Sequence, residues 1–229
     1  MKKLTIILSF FLLTGLYGQS YKVVYKVKPN ENYEPMTDDE NMKKKMGKMN
    51  QQIFEVVRDF KYILIFNSDE SIYTFEESMK PDYVPDIIFY MACMSGGNKD
   101  VYQNRKENIT LKKVKYKGKD ILEKNKLESD WQITNEQGKI GNYKVIKAFK
   151  DRAVAWFTPD IPVPFGPNGA GGLPGLILKY EFGPRVIYAD KIIKGNFKIE
   201  RPKGQVKEFE ELRNMRLEQL SKEALKHSK

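Results

Sequence analysis

The segment PDIPVPFGPNGAGGLPG, residues 159–175, holds five of the chain's 11 prolines and five of its 16 glycines. A proline fixes one backbone dihedral and removes a donor, while a glycine opens left-handed turns and close backbone approach, so the segment specifies one irregular path. It does not repeat, as a low-complexity linker would. Strand-like runs flank it, AVAWFT before and GLILKYEF after. That setting predicts a shaped loop inside a domain.

The first 18 residues place Lys2 and Lys3 ahead of an apolar run from Leu4 to Leu13 and end on the small residue Gly18. This is the layout of a secretory signal peptide, too short in its apolar part to span a bilayer. The expectation is an exported chain cut near Gly18, with residues 19–229 forming one domain and no membrane span. No cysteine stands beside the cut to carry a lipid. Export directs the chain to the periplasm or the outer-membrane periphery. Cys93 is the only cysteine, which excludes an intramolecular disulfide, and its apolar setting FYMACM suits a buried, inert thiol. His227 is the only histidine and stands near the terminus, which removes histidine-rich metal sites and the common histidine-dependent catalytic arrangements.

Period-2 alternation in YKVVYKV, residues 21–27, predicts a half-buried strand. Thr37 to Glu40 form a capping-box pattern ahead of Met42, Met46, Met49 and Ile53 at helical spacing, which predicts a short amphipathic helix packed on a sheet. Strands are predicted at 60–66 and 71–75 around a turn, and the stretch 79–98 reads as loop with one helical turn. Further strands fit 100–105, 109–116, 120–124, 131–134, 143–150, 152–158, 175–182 and 185–194. Short links make neighbours antiparallel. From Val206 to Leu225, the residues Val206, Phe209, Leu212, Leu217, Leu220 and Ala224 share one helical face, and the protein's own sheet is the expected cover. The fold class is therefore mainly β: an antiparallel meander of eight to ten strands curved into a barrel-like or half-barrel sheet, with a helix in the N-terminal third and a C-terminal amphipathic helix.

The loop and its flanks resemble the GLPGLI family of secreted bacterial proteins. The name motif is present as Gly172, Leu173, Pro174, Gly175, Leu176 and Ile177. Upstream, Trp131-Gln132-Ile133, Lys139-Ile140-Gly141-Asn142-Tyr143, Ala155-Trp156-Phe157-Thr158, Asp160-Ile161-Pro162-Val163-Pro164 and Gly166-Pro167 occur in the family's order. Two departures stand out. The family pattern often places a cysteine where this chain has Val145, and an aromatic and a basic residue where it has Asn168-Gly169-Ala170-Gly171. The resemblance implies an exported protein and brings no biochemical activity with it.

Within the loop, Pro174 biases Leu173 toward extended backbone and Gly175 admits close contact, so the motif makes a tight corner feeding a strand. Ile161, Pro162, Val163, Pro164 and Phe165 form a stiff, donor-poor rod. Asp160 is the one ionisable group there; a hydrolase would need it beside Glu181 or Lys179, and no spacing requires that. The residues assigned to the site are thus the loop positions Asp160, Ile161, Pro162, Pro164, Phe165, Gly166, Pro167 and Gly172 to Ile177, with the aromatics Trp131, Tyr143 and Trp156. No catalytic residue, cofactor or metal ligand is assigned. The formal charge of +10 includes a basic run at 111–126, which suits exposed strands that resist edge pairing better than nucleic acid in an exported protein. The reading is a binding or accessory protein of the cell envelope, whose loop closes the fold and offers a surface to an envelope protein. The alternative is a carrier of an apolar ligand within the curved sheet; a carboxylate-dependent hydrolase is the third.

Overall fold

The computed structural model describes residues 19–76, 79–97, 100–127 and 130–227, with side chains described as far as Ser221. The proposed signal peptide lies outside the described residues. Twelve strands form one open sheet: β1 (Ser20–Pro29), β2 (Tyr62–Phe66), β3 (Glu70–Phe75), β4 (Val101–Asn104), β5 (Ile109–Tyr116), β6 (Lys119–Asn125), β7 (Gln132–Ile140), β8 (Tyr143–Lys150), β9 (Ala153–Thr158), β10 (Leu176–Phe182), β11 (Arg185–Gly195) and β12 (Val206–Glu208). Their order is β12-β6-β5-β4-β3-β2-β1-β11-β10-β9-β8-β7. Every pairing is antiparallel except β12 beside β6. The mainly β meander is as expected, and the sheet is not closed into a barrel. β7 runs six residues past the predicted 131–134, and β12 is a strand where the sequence predicts the start of a helix.

Helix α1 (Glu40–Val57) follows β1, but its cap is Asp39, whose side chain accepts from the Asn41 and Met42 amides, rather than Thr37. Its buried residues are Ile53 and Val57, while Met42 is exposed, so the methionine stripe is used only at its C-terminal end. Helix α2 (Asp86–Cys93) occupies the stretch read as loop. IIFYMAC is apolar all round and starts at Pro85 with no side-chain cap, so neither period nor capping signal marks it. Both helices pack over the face of the sheet that carries Val23, Tyr25, Tyr62, Leu64 and Tyr73, forming the main core. This is the inner face.

Helix α3 (Phe209–His227) departs from expectation. Leu212 is fully buried, but Leu217 and Leu220 are 56% and 61% exposed. The helix is held at its first turns by Leu212 and by the Arg216–Glu123 ion pair, and its apolar stripe is not laid on the sheet. A shortage of sheet explains this. The opposite, outer face at β4 and β5 is already covered by the segment 196–205, where Ile199 packs on Tyr102, Ile109 and Leu111 and the Arg201 guanidinium sits over the Tyr102 ring.

Candidate functional site

The loop leaves β9 and returns to β10 as a narrow finger. Leu176 N donates to Ile161 O, Gly172 N to Pro164 O and Ile177 N to Phe165 O, and Phe165 bridges Gly171. Its tip, a 3-10 turn at Pro167–Gly169, meets β3 and β4. In a flat sheet β10 and β4 would be about 24 Å apart, five steps of roughly 4.8 Å. A fully stretched run from Ile161 to Gly169 would reach only about 26 Å, and this one is turned and folded. The sheet must therefore bend so that its two arms approach, and the finger spans the hollow.

Each contact of the finger has a physical cause in the sequence. Gln103, 1% exposed, donates through Nε2 to Gly169 O at 2.9 Å. It stands in a buried polar row with Ser71 and Thr110, which face it from β3 and β5 in register. Tyr25 Oη donates to Ile177 O at 2.6 Å, reaching over Ala189, its small partner on β11. Trp131 Nε1 donates to Gly171 O at 2.8 Å. Phe165 is fully buried against Phe66, and Leu173 packs with Ala148, Ala155 and Phe157. A Cβ on Gly175 would stand 2.1 Å from Thr158 O, so only glycine fits that corner. A Cβ on Gly169 would fall 2.8 Å from Val101, which accounts for the small residues at the tip.

Most of the sequence-assigned loop is thus interior. Phe165, Gly166, Pro167, Leu173, Gly175, Leu176 and Ile177 are buried; Asp160, Pro162, Gly172 and Pro174 are exposed, and Ile161 and Pro164 lie between. The three motif aromatics separate. Trp131 touches the loop, while Trp156 lies under the Lys147 and Lys179 ammonium groups and Tyr143 packs at the start of β8 against the main core. Val145 is likewise buried in that core. Asp160 follows the C-terminal end of β9, whereas Glu181 pairs with Val154 near the other end and its carboxylate holds Lys179 at 2.6 Å. The structure does not bring the two carboxylates together. Among the described residues there is no metal-holding group of histidine, cysteine or carboxylate side chains. On the inner face Tyr25, Tyr62, Tyr73 and Phe165 are all fully buried.

A second feature, not legible in the motif, lies at the end of the sheet where β1, β8 and β10 finish. Tyr180 and Phe182, two apart on β10, present nearly parallel rings 6.5 Å between centroids, and Trp131 meets Tyr180 edge-on at 6.5 Å. Two adjoining depressions of 320 and 530 Å³ share Phe182 and Arg152. Lys150, Asp151 and Arg152 wall one, and Asn32, Tyr33, Glu34 and Met36 wall the other. Phe182 is 57% exposed. The Arg152 guanidinium donates to Met36 Sδ and makes no ion pair among the described residues.

A family model described as "Protein of unknown function (Porph_ging)" matches residues 150–179, the end of β8 through most of β10. No curated protein matches the chain. Solved structures of PNGF-II in the P21 and C2 space groups are similar to it, at 20% and 19% identity with TM-scores of 0.51 and 0.50. Each match covers 83% of this chain and 31% of the PNGF-II chain. The chain therefore spans about a third of those relatives, and the likeness is one of fold.

Proposed function

We propose that the chain is an exported binding protein of the bacterial cell envelope, of the GLPGLI type, in which the 159–177 loop closes the fold and the aromatic groove beside Phe182 is the working surface. The motif serves the site from a distance: its loop joins the opposite ends of β9 and β10, and by tying these strands to β1 and β4 it steadies the pair beside which Arg152, Tyr180 and Phe182 project. The observation that carries this reading is the division of roles between the two regions. The large apolar side chains Val163, Phe165, Leu173, Leu176 and Ile177 of the loop are spent inside the core, whereas Phe182 and Arg152 stand in an open groove with contact capacity left over. What supports binding is the exposed Phe182 ring beside the Lys150 and Arg152 cations.

The reading is tested in the bacterial envelope. Export is checked by fractionation and by sequencing the mature N-terminus, expected at or within a few residues of Gln19. Retention of the protein on washed envelope material is then compared between the natural chain, a Phe182→Ala, Arg152→Ala variant and a Pro162→Ala, Pro174→Ala variant. Loss in the first pair alone is the expected result. Retention equal in all three, with the variants folded, contradicts the groove as the working surface.

A further inference from the structure

We infer that the groove takes an oligosaccharide chain. The inference rests on the groove being the binding surface, and names its ligand class. Sugars present two chemistries at once, patches of polarised C–H on the ring faces and hydroxyls around the rim, and a receptor has to answer both. Aromatic faces carry negative charge that attracts C–H groups. Tyr180 and Phe182 supply two such rings in near-parallel succession, with Trp131 beside them. Polar side chains answer the hydroxyls: Asp151 and Arg152 line the depression that holds the rings, and Asn32 lines the adjoining one.

Other ligand classes fit less of this. A peptide added as a strand needs a row of free backbone groups, but the groove is walled by turns whose backbone is already engaged: Asn30 N donates to Pro184 O and Tyr33 N to Asn30 O, while Asn30 Nδ2 donates to Gly183 O. A polyanion such as nucleic acid needs a uniformly basic track, and here Lys150 and Arg152 are accompanied by Asp151 in one depression and by Glu34 and Glu181 in the other. An apolar chain would leave the polar walls unsatisfied. Two further depressions adjoin these. A third depression shares Lys150 with the first, and a fourth shares Asn30 and Tyr33 with the second. Neighbouring depressions of this kind suit several linked sugar units rather than one.

Trp131 is at the groove and Trp156 is away from it, so a Trp156→Phe chain reports from Trp131 alone. Titration of this full-length exported form with the hexasaccharides of cellulose, chitin, xylan, laminarin and mannan, and with hexaalanine as control, reads binding by Trp131 emission and by calorimetry. At least one saccharide is expected to bind and hexaalanine not to. Phe182→Ala should weaken the saccharide about tenfold or more, equivalent to roughly 1.4 kcal/mol. Phe182→Tyr should keep it within about threefold, because the ring face is retained. Binding by no saccharide in the set overturns the inference, as does binding that Phe182→Ala leaves unchanged. If envelope retention still depends on Phe182 and Arg152 while no saccharide binds, the ligand class alone falls; if neither depends on them, the groove reading falls as well.

Discussion

Gln103 looks unremarkable in the run VYQN, yet its amide holds Gly169 O from a position sealed between Ser71 and Thr110. Replacing it by leucine leaves that carbonyl buried without a donor, at a cost of about 1–3 kcal/mol. Urea unfolding of Gln103→Leu should show this as a lower midpoint at unchanged slope. A stability equal to the natural chain would mean that the contact does not hold the tip. Sequence reasoning passed over Gln103 because a short strand gives no signal of which face a polar residue takes; the face was set by Val101 and Gln103 alternating with Tyr102 on a sheet covered on both sides. Gly175 is the opposite case. Its place in a named motif marked it, and the Thr158 carbonyl beside it supplies the reason.

Among elements, the strands were the most legible, since alternation over six to ten residues records one face buried and one less so. β12 was missed because three residues paired parallel to β6 carry no periodic signal of their own. The loop was legible as stiff and shaped, but its reach was not, since proline and glycine set local path and not the distant strand it meets. α3 shows the limit from the other side. An apolar stripe states a need for cover without saying that cover is present. Leu212→Ala should therefore cost about 2–5 kcal/mol, while Leu217→Ser with Leu220→Ser should stay within about 0.5 kcal/mol. Thermal unfolding of the two variants separates them. Equal losses would indicate that the whole stripe is packed.

At the scale of the molecule, an open sheet of 12 strands is bent and held from both faces, by the finger inside and by the 196–205 strap outside. Tyr25 pairs with Tyr62 across β1 and β2, and Tyr73 on β3 meets both rings, so the three share one interior where burial pushes each hydroxyl's pKa well above its ordinary value. Unfolded tyrosines titrate near 10, so above that pH the unfolded state binds fewer protons than the folded one, and stability falls as pH rises. Below about pH 10 these groups leave stability unchanged; above it each takes away about 1.4 kcal/mol per pH unit. Urea midpoints measured from pH 8 to 11.5 should hold level and then drop, and Tyr73→Phe should make the drop shallower. A decline that begins well below pH 10, or that is the same without Tyr73, would contradict the shared interior. Curvature itself was legible only as a class, because bending depends on contacts between residues such as Gln103 and Gly169, 66 positions apart.

The central claim is that the finger is part of the core and not a surface loop, and amide hydrogen exchange on the native protein tests it most directly. The amides of Gly172, Leu176 and Ile177, bonded to Pro164, Ile161 and Phe165 carbonyls, should exchange only through global unfolding, with the same protection as the amides of β1 and β2. Exchange at those three positions as fast as in the exposed Asp151–Arg152 turn, while β1 and β2 stay protected, would show that the fold stands without its brace.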